Sequence, residues 1–211
     1  MPLQSTFGED VLREIDEFFM REGPIHETLR KLAARLAEEK IDYALVGGMA
    51  LALHGFVRPT QDVDLLVTPE GLERFHERLV GRGYVVAFPG ARKHFRDADT
   101  GVPVEVITSG EFPGDGKPKP VVFPRPEEVA VTVEPFRVAN IEKLVELKLA
   151  SGLSAEHRRL RDLADVQQLI EVLDLPLELA QRLDASVGGE YEKLWHLART
   201  ARRQESESNE R

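Results

Sequence analysis

The sequence predicts an α/β fold in which a small mixed β-sheet with flanking helices is followed by a C-terminal helical portion. Two short apolar runs, 43–46 and 62–67, have the length of buried strands. Segments with apolar residues at helical spacing lie before, between and after the strand patterns. This order predicts N-terminal helices at 1–40, a core at 41–139, a helical portion at 140–202 and a disordered tail at 203–211.

The composition is that of a globular chain that can bury its own core. The 211 residues are 42% apolar and 31% charged, and none is cysteine, which excludes disulfides, zinc–thiolate sites and cysteine nucleophiles. The net charge of −9 argues against broad, nonspecific nucleic-acid binding but permits a local basic groove. Because we find no secretory signal and no apolar run that could span a bilayer, we expect a cytoplasmic protein without membrane contact.

The N-terminal part contains two amphipathic helix patterns. Apolar residues recur at helical spacing in 9–21 and again in 24–40, and Gly23-Pro24 separates the two segments. We expect both helices to cover the sheet. After the second strand, Pro69 begins a further helix that extends to residue 82, because proline at the first helical position loses no hydrogen bond.

More strands and one long loop complete the predicted core. The strand patterns are at 84–88, at 93–97 and 102–107 as a hairpin, and at 129–138 as one strand or two short ones. The stretch 109–126 is rich in glycine and proline, so it cannot form regular structure. Whether this stretch is a lid or a linker stays open.

The C-terminal portion has helix patterns with recognisable ends. Asn140 is a plausible N-cap for a helix at 141–151, Gly152 a plausible stop, and Ser154 the start of the next helix. Two further helices are predicted at 176–183 and 190–202.

The stretch from 42 to 68 carries the pattern that predicts chemistry. Gly47 and Gly48 stop the first strand and open a helix, so backbone N–H groups offer an anion site with no side chain in the way. Asp62 and Asp64 stand at i and i+2 on the second strand and share one face. Their mutual repulsion would be relieved by a divalent cation, and hard oxygen ligands suit Mg²⁺ or Mn²⁺.

The order and spacing of these motifs resemble a known superfamily. Gly47-Gly48, followed by Arg58-x-Thr60-x-Asp62-x-Asp64 and an apolar run, is similar to the nucleotidyltransferases typified by DNA polymerase beta. Within that superfamily, the chain looks most like the small bacterial nucleotidyltransferases related to AbiEii/AbiGii-type toxins. The resemblance covers roughly 41–107, with a further match at 141–170.

The resemblance implies a third carboxylate at Glu105. This residue stands between Val104 and Val106 on a predicted strand, where the family has an acid that joins the first two. Carried over, Glu105 is a metal ligand with Asp62 and Asp64. Taken alone, it could equally be an exposed glutamate on an edge strand.

A lysine and two acids on the later helices complete the candidate site. Lys148 falls on the apolar stripe of its helix, so it either extends to water or points into the cleft and meets a phosphate. The resemblance implies the second role. Asp162 and Asp165 match the family's last motif, but each also stands four residues after an arginine, which is the spacing of ordinary surface ion pairs.

The resemblance therefore implies a metal-dependent enzyme that moves an NMP from a nucleoside triphosphate to an acceptor hydroxyl. The acceptor could be RNA such as a tRNA end, a small molecule or a protein, and a toxin role would add a cognate antitoxin as partner. The rivals are a non-catalytic nucleotide- or partner-binding module, and a metal-dependent phosphatase or nuclease. The predicted nucleotide-binding residues are Gly47, Gly48, Arg58, Thr60, Lys148, Asp162 and Asp165, and the predicted catalytic residues are Asp62, Asp64, Glu105 and Lys148.

Overall fold

The computed structural model describes residues 22–209, so the helix predicted at 9–21 lies outside the described residues. The helices are α1 (Gly23–Glu38), α2 (Gly47–Leu53), α3 (Pro69–Arg78), α4 (Pro126–Val129), α5 (Ile141–Ser154), α6 (Glu156–Val172) and α7 (Ala185–Asn209), with a 3₁₀ helix at Leu177–Gln181. The strands are β1 (Tyr43–Val46), β2 (Val63–Val67), β3 (Tyr84–Val86), β4 (His94–Asp97), β5 (Pro103–Thr108), β6 (Ala130–Val133) and β7 (Phe136–Ala139).

The described strands form one mixed sheet in the order β3-β4-β5-β2-β1-β7-β6. β1 and β2 pair antiparallel near its centre, and each has a parallel neighbour on its outer side, β7 and β5 respectively. Antiparallel pairs extend the sheet to β3 at one edge and to β6 at the other. This mixed sheet with its helices confirms the predicted α/β fold.

β1 and β2 lie in the middle of the sheet because both are apolar on both faces. Every residue of β1 is buried, and β2 is buried except at Asp64, which is half-buried. The core continues into the apolar faces of α1, α5, α6 and α7, and α5 packs against α6. The single polar position on β2 therefore marks the place where the core opens to solvent.

Some predicted boundaries differ from the observed ones. α3 ends at Arg78, before the predicted residue 82, because the chain turns back into β3 and the Gly81 N–H donates to the Tyr84 carbonyl at 2.8 Å. The segment 129–138 contains two strands, β6 and β7, and α4 precedes them. The helix predicted at 176–183 is only a short 3₁₀ helix.

The expected helix stop at Gly152 and helix start at Ser154 are wrong, since α5 continues through both residues. Gly152 is needed for close packing instead, because a Cβ there would lie 3.1 Å from Leu163 Cδ2 on α6. At the other end of the chain, α7 extends to Asn209, into the stretch 203–211 predicted to be disordered. Arginine, glutamine and glutamate in that stretch are good helix formers.

In the part of the chain that the structure describes, no helix has both the length and the apolar character needed to cross a membrane.

Candidate active site

A cleft of about 370 Å³ opens where the first strand ends and the acid-bearing strands begin. Its walls come from the β1–α2 turn, β2, β5, the loop after β5, α5 and the start of α6. All the predicted site residues line this cleft except Asp165, which lies just behind Lys148. The lining residues among them are Gly47, Gly48, Arg58, Thr60, Asp62, Asp64, Glu105, Lys148 and Asp162.

The two glycines are required because other side chains press against the turn. Gly47 has φ +62°, in the left-handed region, and a Cβ there would overlap the carboxylate of Asp64. A Cβ at Gly48 would lie 2.6 Å from the Thr60 hydroxyl oxygen. α2 itself is only seven residues long. The glycines thus let Asp64 and Thr60 approach the backbone at the mouth of the cleft.

The three predicted acids come from neighbouring extended segments. Asp64 and Glu105 are direct partners in the parallel β2–β5 pair, so both carboxylates project from the same face of the sheet. Asp62 comes just before β2, where its Oδ1 accepts a hydrogen bond from the Thr60 hydroxyl at 2.8 Å. The period-2 pattern of the sequence is therefore realised as a shared acidic face.

Burial and like charge both act on Asp64. Burial in the cleft, together with the charges of Asp62 and Glu105, raises the pKa of Asp64 from 3.8 to about 7. Lys148 and Arg158 oppose this shift by favouring the charged carboxylate. A bound cation would act in the same direction as these two residues and favour the ionised form of Asp64.

The donor set fits a hard divalent cation in its chemistry, because it consists of carboxylate oxygens. Among residues 22–209, however, no three His, Asp or Glu side chains already form a metal site. Two of the three acids have other neighbours. Thr60 holds Asp62, and Glu105 Oε1 lies 3.9 Å from His94 Nε2 on the neighbouring strand β4.

Lys148 on α5 stands between the two acids of α6. Its Nζ lies 3.1 Å from Asp162 Oδ1 and 2.7 Å from Asp165 Oδ2. Asp162 also accepts a hydrogen bond from the Ser151 hydroxyl at 2.6 Å. The lysine thus faces the cleft with its charge fixed in place by two carboxylates.

Asp165 also binds Arg58, which comes from the segment before β2. An Arg58 terminal nitrogen donates to Asp165 Oδ2 at 3.2 Å, and Nε lies 3.2 Å from Oδ1 without hydrogen-bond geometry. Asp162 and Asp165 are only 7% and 4% exposed. The interpretation of these acids as members of surface ion pairs along α6 is therefore wrong, because they turn inward to Lys148 and Arg58.

Several cleft residues were not predicted. Ser151 stands three residues after Lys148, a helical spacing that could have indicated it. His157 and Arg161, one helical turn apart on α6, line the cleft together with Arg158. Pro113, Gly114 and Phe123 bring the glycine- and proline-rich loop into the wall, and only the folded chain could reveal that.

Comparison with known proteins identifies a family. A family model described as uncharacterised nucleotidyltransferase matches residues 9–186. We found no match among curated proteins.

Three solved structures are similar at low identity. A candidate nucleotidyltransferase from Thermotoga maritima is 22% identical with a TM-score of 0.48, covering 66% of this chain and 91% of its own. JHP933 from Helicobacter pylori is 18% identical with a TM-score of 0.44, covering 100% and 98%. ANT(2")-Ia, solved with adenylyl-2"-tobramycin, is 16% identical with a TM-score of 0.43, covering 83% and 97%.

Proposed function

The chain belongs to the family of uncharacterised nucleotidyltransferases, and from that premise we propose that it moves an NMP from a nucleoside triphosphate to an acceptor hydroxyl. The observation that carries the proposal is the meeting of the acids on β2 and β5 with Lys148 in one cleft. A triphosphate needs positive charge beside its phosphates, and the cleft contains the cation Lys148 next to acids that could bind a metal ion.

The donor phosphates are proposed to lie beside the Gly47-Gly48 turn. No side chain of the turn stands in their way, and the Thr60 hydroxyl lies next to it. Lys148 would neutralise the charge that develops on the phosphates, and Asp162 and Asp165 already hold its ammonium group in one position. Because Arg58 is bound to Asp165, we propose that it supports the nucleotide site by holding that acid.

Asp62, Asp64 and Glu105 are the residues that would hold Mg²⁺ or Mn²⁺. The ion would supply charge neutralisation on the phosphate oxygens and would lower the pKa of an acceptor hydroxyl. In the proposed reaction that hydroxyl oxygen forms a bond to the α-phosphorus, the bond from the α-phosphorus to the bridging oxygen breaks, and pyrophosphate leaves with the electron pair. The hydroxyl proton is lost to water or to a carboxylate of the cleft.

An assay with α-labelled triphosphates tests this reaction and identifies the acceptor. The protein is incubated with Mg²⁺, each labelled triphosphate in turn, and RNA, protein or metabolite fractions. We expect label in one fraction and release of pyrophosphate, and we expect Asp64→Asn to abolish both while the fold is kept. Glu192→Gln, an exposed acid on α7, is the matched control and should keep full activity.

Unchanged incorporation by the Asp64→Asn protein would contradict the assignment of the site. Release of inorganic phosphate or cleavage of RNA, without labelled product, would indicate the phosphatase or nuclease class instead. A growth test with and without the neighbouring genes would address the proposed toxin role and a cognate antitoxin partner.

The second candidate function is a non-catalytic module that binds a nucleotide or a partner protein. It is favoured by one observation, that no three of the described acidic or histidine side chains form a ready metal site. Such a module would bind triphosphate equally well with and without Mg²⁺ and release no pyrophosphate. Calorimetry and a pyrophosphate assay on one sample separate the two functions.

A further inference from the structure

We propose that Arg158 and Arg161, together with His157, form an anion subsite in the cleft, and that this subsite binds a phosphate group carried by the acceptor. The inference rests on the proposed nucleotidyl transfer and names the class of acceptor. The three residues stand on the first turns of α6 at positions i, i+1 and i+4, a spacing that brings them to one side of the helix. All three line the cleft and are exposed.

Arg158 and Arg161 do not form the ion pairs that their spacing along the helix would allow. Asp162 and Asp165 stand four residues after Arg158 and Arg161, but both acids are turned inward to Lys148. In the part of the chain described by the structure, neither arginine has a carboxylate partner within ion-pair distance. Their guanidinium groups are therefore available to a ligand.

Several exposed arginines elsewhere on this acidic protein are paired with a carboxylate. Arg92 pairs with Glu73 at 2.7 Å, Arg125 with Glu127 at 2.6 Å and Arg137 with Asp42 at 2.7 Å. A net charge of −9 supplies an excess of carboxylates for such pairs. Arg158 and Arg161 differ from these in that they line the acid-bearing cleft without a carboxylate partner among the described residues.

The charge of Arg158 reaches the reacting region, since it is one of the two cations that favour the ionised form of Asp64. Guanidinium groups bind phosphate oxygens with two parallel hydrogen bonds. The same groups would repel a polycationic acceptor such as an aminoglycoside, and a neutral protein hydroxyl would leave them unpaired. An acceptor that carries a phosphate group near its hydroxyl would pair with the guanidinium groups of Arg158 and Arg161 and therefore fits this side of the cleft best.

This phosphate could belong to a polynucleotide end or to a small phosphorylated molecule. The two arms of the test use a 5′-labelled single-stranded oligoribonucleotide and ribose 5-phosphate, each titrated with and without a saturating non-hydrolysable triphosphate. The proteins compared are wild type, the double variant Arg158→Gln/Arg161→Gln, and Arg159→Gln. Arg159 is an exposed arginine of the same helical turn that does not line the cleft, so it shows the effect of removing one arginine charge from α6 outside the cleft.

We expect the double variant to bind at least one phosphate-bearing probe about tenfold more weakly, and the control variant to stay within about twofold of wild type. For the oligonucleotide arm, the slope of log Kd against log salt should fall by about 1.4, at about 0.7 per lost phosphate contact to a single strand. Weakening only in the ribose 5-phosphate arm would support the subsite and assign it to a small acceptor.

Any of four results would overturn the inference. The wild type could bind neither probe, the double and control variants could lose affinity equally, or the double variant could lose affinity for the triphosphate alone, which would assign the arginines to the donor. Stronger binding of an aminoglycoside than of either probe would also exclude it. Because these titrations need no turnover, failure of the labelled-triphosphate assay with arginine-dependent binding intact would count against nucleotidyl transfer only.

Discussion

Two charged regions meet in the cleft, and they differ in how their charges are balanced. On the strands, Asp62, Asp64 and Glu105 repel one another, and the pKa of Asp64 is raised to about 7. On the helices, Lys148 lies between two nearly buried acids, which Ser151 and Arg58 also contact. The first region is incomplete without a positive ligand, whereas the second is complete by itself. We infer that the strand acids act on substrate and that the helix network keeps Lys148 in place.

The largest effect is expected when Lys148, the cation at the centre of the contacts between α5 and α6, is removed. Lys148→Met leaves Asp162 and Asp165 nearly buried with one cation fewer, so we expect the free energy of unfolding to fall by about 3–5 kcal/mol. Lys193→Met, which removes an exposed partner of Glu190, should cost less than about 1 kcal/mol. Urea denaturation of both variants measures the difference. Equal losses would mean that the network is no better than a surface ion pair.

The pH dependence of stability tests the strand acids. A carboxyl with a pKa of about 7 in the folded state and 3.8 as its ordinary value keeps its proton longer when folded. Stability from this group is therefore fully present below about pH 4 and is lost as the pH rises towards 7. We expect Asp64→Asn to be more stable than wild type at pH 8 by on the order of 4 kcal/mol, with the difference vanishing at pH 4.

The quantity to compare is the difference between the free energies of unfolding of the two proteins at each pH. All other titrating groups are common to both proteins, so their contributions cancel in this difference. If wild type and Asp64→Asn gave parallel curves from pH 4 to pH 8, the raised pKa of Asp64 would be disproved.

A smaller effect distinguishes the two acids of the helix network. Asp165 contacts the cations Arg58 and Lys148, while Asp162 contacts Lys148 and the Ser151 hydroxyl. In a double-mutant cycle, Arg58→Gln and Asp165→Asn should therefore couple by about 1 kcal/mol. The same cycle with Asp162→Asn in place of Asp165→Asn is the matched control and should be additive. Coupling of Arg58 to Asp162 instead would assign the anchor to the other acid.

The strand half of the site could be predicted because its signals are local. Alternation in the sequence predicts Asp62 and Asp64 on one face, and the structure places Asp64 on β2 with Asp62 just before it. The glycines at the β1–α2 turn indicate a close approach. The sequence could not predict which side chains come close to the glycines. In the structure these are Thr60 and Asp64.

The contacts on the helix side of the site could not be predicted from the sequence, because they join distant parts of the chain. Arg58 and Asp165 are 107 positions apart, and no local spacing links them. Arg-x-x-x-Asp is compatible with a surface pair or an inward acid, and the packing of α6 on α5 decides between them. The prediction of a helix end at Gly152 is wrong for the same reason. Glycine is needed there because Leu163 on α6 packs closely against it.

We propose that Asp62, Asp64 and Glu105 bind a cation together with the triphosphate. Calorimetry in buffers of different ionisation enthalpy tests this because it measures the protons released on binding. Mg²⁺ and a non-hydrolysable triphosphate are added together at pH 6 and at pH 8. Because Asp64 is mostly protonated at pH 6, we predict the release of close to one proton there, much less at pH 8, and none from Asp64→Asn. Triphosphate binding that is independent of Mg²⁺, unchanged in Asp64→Asn and free of proton release at pH 6 would contradict the account.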